Sequence, residues 1–142
     1  MAQTFAPEVA GLSTIPSTKA NGGVQGGRLR RFRATVPFTG QAIADTIVLA
    51  EVPAGYTFAY GVINNTASFG GTATIAIGTA GAAGKYRAAA IQTATGPQLF
   101  GLASAADDAP LEAAERVIMT VAAAALPTSA EFAVVDLYFS AP

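Results

Sequence analysis

The sequence predicts an all-β chain folded as an antiparallel sandwich or barrel. In most segments apolar residues recur at every second position, which is the period of a strand with one buried face. Seven or eight such segments follow one another, roughly ten to fifteen residues apart, and glycine, proline, asparagine or serine bounds each of them. No long amphipathic helix pattern and no repeat of fixed period competes with this prediction.

Composition bounds the size and the class of the protein. A chain of 142 residues favours one domain with a substantial core. Charged residues make up only 12% of it, about half the usual share, so we expect other subunits to cover much of the surface. The alternative is an alanine- and glycine-rich globule without such partners. Because no apolar run reaches the length of a membrane span and no secretory signal begins the chain, we expect no membrane contact.

Residues 1–27 are predicted to form an extended N-terminal arm, and residues 28–142 the sandwich domain. Prolines and glycines interrupt the helix-like spacing of apolar residues in the arm, and a segment this short cannot bury enough surface to fold alone. Two interpretations stay open, a loose terminus and an arm that orders on a neighbouring molecule. For the second, the expected partner-binding anchors are Phe5, Leu12 and Ile15.

The first predicted strand, residues 28–38, carries half of the basic residues of the chain. Residues 1–43 hold five basic and one acidic side chain, whereas residues 44–142 hold three basic and eight acidic ones. This asymmetry predicts that the strand faces an acidic partner surface. We expect no nucleic-acid partner, because the whole chain is acidic and has no recognised binding motif. A solvated edge strand that discourages aggregation is the alternative. The candidate partner-binding residues here are Arg28, Arg30, Arg31 and Arg33.

The segment around which the rest is organised is residues 45–62. It predicts a strand, a tight corner at residues 53–55, and a second strand that returns. A face of three aromatic residues and a valine needs apolar cover, which the other strands would provide. A sugar-binding platform is the less favoured interpretation, because aromatic residues at alternate positions more often belong to the core. The residues on this predicted face are Tyr56, Phe58, Tyr60 and Val62.

The later segments complete the sandwich. Asp45 and Asp136 flank or interrupt apolar strands, so each is expected to cap a turn or to lie at a sheet edge. A loop rich in alanine, with Asp107 and Asp108, separates the last two strands from the others. The remaining predicted strands are residues 72–77, 85–91, 99–102, 115–122 and 131–139.

The sequence lacks the residue types on which most catalytic and metal sites depend. Neither histidine nor cysteine is present, which removes the commonest general bases, nucleophiles and soft metal ligands. Residues 78–85 superficially match a phosphate loop, but Thr79 occupies the place of the first glycine, and Tyr86 that of the magnesium-binding hydroxyl. The acidic loop lacks the ligand spacing of a calcium site. We therefore expect no enzyme activity, no cofactor, no metal and no small-molecule substrate.

Several short motifs, taken in order, resemble small virion proteins of tailed bacteriophages. The first is Asp-x-Ile-x-Leu ending in Pro-Ala-Gly, at residues 45–55. It is followed by Ala-Thr-Ile-x-Ile-Gly at residues 73–78 and Lys-Tyr-Arg-Ala-Ala at residues 85–89, and then by Arg-Val-Ile-Met-Thr-Val at residues 116–121. The resemblance covers about residues 28–140. It implies a capsid decoration, or cement, protein with a jelly-roll-like β-sandwich that forms a homotrimer.

The leading hypothesis is accordingly a virion structural protein on the capsid surface, made in the host cytoplasm. It would bind the lattice of the major capsid protein and itself, and would stabilise the head through many small contacts that add through multivalency. The alternative is a head-fibre base, or an adhesin module that binds host glycans through the aromatic stripe.

Overall fold

The computed structural model describes residues 10, 14, 16–17, 25–105 and 109–142. In these residues, eight strands in two antiparallel sheets form almost all of the regular structure. A 3-10 turn at Ala103–Ala105 lies between the sixth and seventh strands. The strands are β1 (Arg28–Thr39), β2 (Thr46–Val52), β3 (Thr57–Asn65), β4 (Thr74–Gly78), β5 (Arg87–Ile91), β6 (Gly96–Phe100), β7 (Glu115–Ala122) and β8 (Thr128–Ala141).

The strand order is that of a jelly roll. The first sheet has the order β1-β8-β3-β6, and the second has the order β2-β7-β4-β5. The chain crosses from one sheet to the other at every connection except that between β4 and β5, which are adjacent in the second sheet. Eight strands wound in this way make two face-to-face sheets with Greek-key connections. The predicted class, an antiparallel jelly-roll-like sandwich, is confirmed.

The core lies between the inner faces of the two sheets, because every second side chain of a strand points to the same face. In β7 every second residue is fully buried, and in β8 the same period continues over most of the strand. Burying one such side chain contributes roughly 1.5–3 kcal/mol, so these two strands supply much of the hydrophobic stabilisation. The fully buried residues of β7 and β8 are Val117, Met119, Val121, Ala133, Val135, Leu137 and Phe139.

The strand β8 is longer than the sequence predicts. The prediction spans residues 131–139, whereas the strand has 14 residues. It lies inside the first sheet, where β1 pairs with it on one side from Arg28↔Ala141 onward and β3 pairs with it on the other. Backbone pairing with two neighbours extends the strand past the point where its own hydrophobic pattern ends.

The predicted strand, corner and returning strand are found as β2 and β3, but these two strands do not pair with each other. The corner at residues 53–55 carries the chain from the second sheet to the first, so β2 pairs with β7 and β3 pairs with β8 and β6. Gly55 has a positive φ of 87° in this turn, a conformation that glycine adopts without steric cost. The two strands therefore belong to facing sheets, and their apolar faces cover the same core.

The predicted aromatic face of β3 is wrong beyond residue 58. The register against β8 shifts between Phe58 and Tyr60, which marks a β-bulge. A bulge adds one residue to a strand and so reverses the facing of the residues that follow. Phe58 is buried in the core at 8% exposure, while Tyr60 is 38% exposed on the outside of the first sheet. The inward position that Val62 was predicted to hold belongs to Ile63, which is 1% exposed.

The sixth strand begins earlier than the sequence predicts. Residues 93–97 resemble a turn because they include Gly96 and Pro97, yet the strand starts at Gly96. β6 is an edge strand of the first sheet. Proline is tolerated in an edge strand because the position of its missing N–H can face the open side of the sheet, where there is no neighbouring strand to accept a hydrogen bond.

The turn after β4 depends on the absence of a side chain at Gly78. A Cβ atom there would lie 2.1 Å from the carbonyl oxygen of Ala82 and 2.6 Å from that of Ala83. Since both atoms are backbone, the Gly78→Ala variant must displace the loop, and we expect it to lower the free energy of unfolding by about 1–3 kcal/mol. Urea denaturation measures this difference.

The control for this variant is Gly81→Ala in the same loop, where a Cβ atom meets nothing within 4 Å. We expect it to change stability by less than about 0.5 kcal/mol. Equal denaturation midpoints for the two variants would show that the contact at Gly78 does not constrain the loop.

The predicted boundary between arm and sandwich stays a prediction. The first strand begins at Arg28, which is where the sandwich was expected to start. Most of residues 1–27, including the anchors Phe5, Leu12 and Ile15, lie outside the described residues.

Candidate functional site

The first candidate surface is the beginning of β1, an edge strand of the first sheet. Three exposed arginines stand here within four residues, and we call Arg28, Arg30 and Arg31 the arginine cluster. They lie at the end of the sheet where Arg28 pairs with Ala141, close to the carboxyl end of β8. In the described part of the chain, no ion pair is seen for any of the three.

The fourth predicted arginine, Arg33, is held by a carboxylate of the neighbouring strand. Its Nε donates to Oδ1 of Asp136 at 2.8 Å and its Nη2 to Oδ2 at 2.9 Å, which makes the pair bidentate. These hydrogen bonds, and then the negative charge of Asp136, raise the pKa of the Arg33 guanidinium. The Arg33 side chain is still 53% exposed, so one face of it remains accessible to a partner.

The two isolated aspartates have different roles. Asp45 caps a turn, since its Oδ2 accepts a hydrogen bond from the Ala42 amide at 2.7 Å. The predicted turn or edge role of Asp136 is wrong, because β8 lies inside the first sheet and Asp136 is only 7% exposed. Its partner stands 103 residues away in the chain, which explains why local sequence did not indicate the pair.

The other described cations have acceptors of their own. Lys85 pairs with Glu115, and Arg116 with Glu51. Arg87 donates to the carbonyl oxygen of Ile75 and to the side chain of Gln92, and burial lowers the pKa of its guanidinium. Because these cations are satisfied within the fold, the arginine cluster is the part of the described surface best able to offer positive charge to a partner.

The second candidate surface is the outer face of the first sheet, which we call the tyrosine face. Tyr60 and Tyr138 stack on it with ring centroids 4.7 Å apart and an interplanar angle of 18°. Each of the four strands also exposes one large apolar residue there. These residues are Leu29 at 55%, Phe132 at 42%, Tyr60 at 38% and Leu99 at 77% exposure.

A shallow groove of about 380 Å³ adjoins the tyrosine face at the β3–β6 side. Its lining includes Ala59, Tyr60, Leu99 and Leu102 and carries no charged side chain. The apolar residues of the face surround the Arg33–Asp136 pair, and exposed apolar patches mark interaction sites on soluble proteins. The face and its groove therefore form a surface suited to an apolar partner.

The sequence did not indicate the tyrosine face as a site. Its members come from strands far apart in the chain, and only the sheet order β1-β8-β3-β6 brings them together. One signal was present: β8 is apolar at Phe132, Val134 and Tyr138 as well as on its inner face. A strand with two apolar faces is typically covered on both.

A cavity of about 360 Å³ with a mixed polar and apolar lining lies beside the start of β7. In it the Glu115 carboxylate accepts hydrogen bonds from Lys85 and from the Tyr86 hydroxyl. The three groups satisfy one another, so the cluster ties the start of β7 to the segment before β5.

The described residues contain no group of three or more His, Cys, Asp or Glu side chains that could hold a metal ion. They also contain no helix with the length and hydropathy that a membrane span requires. The predicted acidic pair Asp107 and Asp108 lies outside the described residues.

Comparison with known proteins gives matches in structure. No protein-family model and no curated protein sequence matches the chain. A chain in the capsid asymmetric unit of cyanophage Pam1 is 19% identical with a TM-score of 0.70, over 96% of this chain and 100% of that one. A chain in the capsid of Ralstonia phage GP4 is 20% identical with a TM-score of 0.63, over 82% and 84%.

A third match comes from the acidic stable capsid of Helicobacter pylori bacteriophage KHP30. It is 12% identical with a TM-score of 0.57, over 80% of this chain and 88% of that one. At such low identity the likeness is one of fold. The chain shares its jelly-roll fold with polypeptides of phage capsids, the class of protein that the sequence motifs resemble.

Proposed function

We propose that the protein is a capsid decoration, or cement, protein that binds the major capsid protein lattice and stabilises the head. One observation carries the proposal. The match in the cyanophage Pam1 capsid asymmetric unit covers 96% of this chain and the whole of that chain. A separate polypeptide of this extent within the repeating unit of a shell is what a decoration protein would be.

The arginine cluster supports the choice of an acidic partner surface. Its three guanidinium groups are exposed and have no ion pair among the described residues. Arginine forms bidentate, charge-assisted hydrogen bonds with carboxylates, which give both attraction and orientation. We propose that this end of the sandwich faces the major capsid protein at the capsid surface, after synthesis in the host cytoplasm.

A homotrimer would multiply these contacts. Trimerisation is what the sequence resemblance implies, and it would present three arginine clusters to the lattice at once. When one cluster has bound, the second and third bind at high effective concentration, so weak single contacts add up to stable attachment. The role needs no catalytic group, cofactor or metal.

Reconstitution tests the proposed function. Virions are depleted of the protein and mixed with increasing amounts of purified protein, and the bound fraction is measured together with the temperature of genome release. We expect saturable binding at a fixed number of copies per shell and a higher release temperature. Failure of the native protein to rebind depleted but intact shells would contradict the proposal.

Deleting residues 1–20 tests the proposed arm. We expect the melting temperature to stay within about 2 °C of the native value, because the first strand of the described sandwich begins at Arg28, and the affinity for depleted shells to fall roughly tenfold or more. The reason is that each buried apolar anchor contributes roughly 1.5–3 kcal/mol, and these anchors act together with backbone hydrogen bonds or a groove of the neighbour against an ordering entropy of about 1–2 kcal/mol per residue.

The control for the deletion is the full-length chain with Phe5, Leu12 and Ile15 replaced by serine, which keeps the length but removes the anchors. It should weaken binding as the deletion does. Undiminished binding of both variants would make the arm a passive tail, and loss of folding on deletion would place an integral strand within residues 1–20.

One observation favours the second candidate, a head-fibre base or a glycan-binding adhesin. Tyr60 and Tyr138 present aromatic surface on the outside of the first sheet. Their rings stack on each other at 4.7 Å, however, so each has one face left for a sugar. Binding of host glycans that is abolished in Tyr60→Ser, with no binding to shells, would favour the adhesin over the decoration protein.

A further inference from the structure

We infer that the tyrosine face is covered by a second copy of this chain. The inference rests on the proposed function because the self-association of the chain is proposed there. It assigns that self-association to one surface. The observations that carry it are the exposure, the charge and the extent of this face.

Exposure shows that the rest of the described sandwich does not cover the face. Leu99 is 77% exposed on the edge strand β6, and Leu29 and Phe132 are 55% and 42% exposed on β1 and β8, at the other side of the same sheet. Tyr60 and Tyr138 form a stacked pair beside them. A stacked pair holds two large side chains in place before binding, so little conformational entropy is lost when a partner covers them.

The low charge of the tyrosine face favours a second copy of the chain as the partner that covers it. Within residues 25–105 and 109–142, the charged side chains on this face are Arg31, which pairs with Tyr138 across β1 and β8, and the Arg33–Asp136 pair, which neutralises itself. Near a symmetry axis of an oligomer a charged patch meets its own copy, which costs free energy. The tyrosine face keeps this cost small, because Arg31 is its one charged side chain without an ion pair among the described residues.

The arginine cluster has the opposite property. Three cations of the same sign would repel their counterparts on another copy, so this end of β1 suits an acidic partner of different sequence. The two surfaces meet at Arg31 and otherwise divide the contacts: the tyrosine face serves self-association, and the arginine cluster serves the shell.

The extent of the face fits a subunit contact. Four strands side by side are roughly 19 Å across, and the outward residues from Leu29 to Pro37 span roughly 25–30 Å. The projected area is on the order of 500 Å², somewhat below the roughly 800 Å² that each partner buries in a standard protein interface. Contacts from the adjoining groove would add to this area.

The variant Leu99→Glu tests the inference. The side chain is 77% exposed, so the change places a charge on the face without opening the core. Self-association is measured by sedimentation equilibrium of the full chain at about 1 to 100 μM, concentrations that detect dissociation constants in the micromolar range. We expect the native protein to assemble and the variant to associate at least roughly 30-fold more weakly, because a buried unpaired carboxylate is strongly disfavoured.

The matched control is Ile43→Glu, which makes the same kind of change at a residue that is 58% exposed in the loop between β1 and β2. It should associate within roughly threefold of the native protein. Phe132→Glu, on the same face but another strand, repeats the test in case Leu99→Glu disturbs folding, which circular dichroism reports.

Several results would overturn the inference: a native protein that stays monomeric throughout, face variants that assemble like the native protein, or a control that weakens assembly as much as they do. Loss of shell binding by an intact Leu99→Glu oligomer would show instead that the shell covers the face. Failure of the proposed function looks different, since a native oligomer would then form and ignore depleted shells.

Discussion

Replacing Phe139 by alanine is expected to lower the free energy of unfolding by about 3–5 kcal/mol. The side chain is fully buried, and its ring packs against three others. The centroid distances are 5.8 Å to Phe32, 5.4 Å to Phe58 and 5.9 Å to Tyr86. These rings come from different segments and from both sides of the core, so local relaxation cannot fill the cavity. Domains of this size are stable by about 5–15 kcal/mol in total, so the loss is a large share.

Phe132→Ala is the matched control, because it makes the same chemical change in the same strand. Phe132 is 42% exposed, and we expect its loss to cost about 1 kcal/mol or less in the isolated chain. Urea denaturation at low protein concentration, where self-association does not contribute, measures both variants. If the two cost the same, Phe139 would not occupy the centre of the core as described.

Reversing the arginine cluster is expected to abolish most binding to the shell. In a variant with Arg28, Arg30 and Arg31 all changed to glutamate, attraction to an acidic surface becomes repulsion at three positions. We expect the affinity for depleted shells to fall by roughly 100-fold or more. Since the native contact is electrostatic in part, its affinity should also fall with added salt as the screening length shortens.

The control here replaces the same three arginines by lysine, which keeps the charge and loses the planar fork of donors. We expect it to retain more binding than the glutamate variant and to show the same salt dependence as the native protein. Both variants should fold, because the three side chains are exposed. A glutamate variant that binds depleted shells like the native protein would remove the arginine cluster from the shell contact.

Much of the fold could be predicted because the hydrophobic period of most strands is intact. Val117, Met119 and Val121 alternate without interruption, and β7 has the predicted bounds. The prediction failed where backbone geometry intervenes without a sequence signal. The bulge between Phe58 and Tyr60 reverses the facing of β3, although the aromatic pattern continues through it.

Pairing partners were the other gap, because they depend on topology. A Pro-Ala-Gly corner fits a hairpin as well as a crossing between sheets, and residues 45–62 alone do not distinguish the two. The two candidate surfaces also differ in how far the sequence predicts them. The arginine cluster is contiguous in sequence and could be located from it. The tyrosine face draws Leu29, Tyr60 and Leu99 from three strands, so only the assembled sheet places them together.

The most direct test of the proposed role is electron cryomicroscopy of the intact virion, with the sandwich fitted into the density. We predict many regularly spaced copies on the outside of the head, in contact with the major capsid protein through the arginine cluster and with one another through the tyrosine face. Density for the sandwich confined to a single vertex or to the tail, or its absence from the head, would contradict the proposed role.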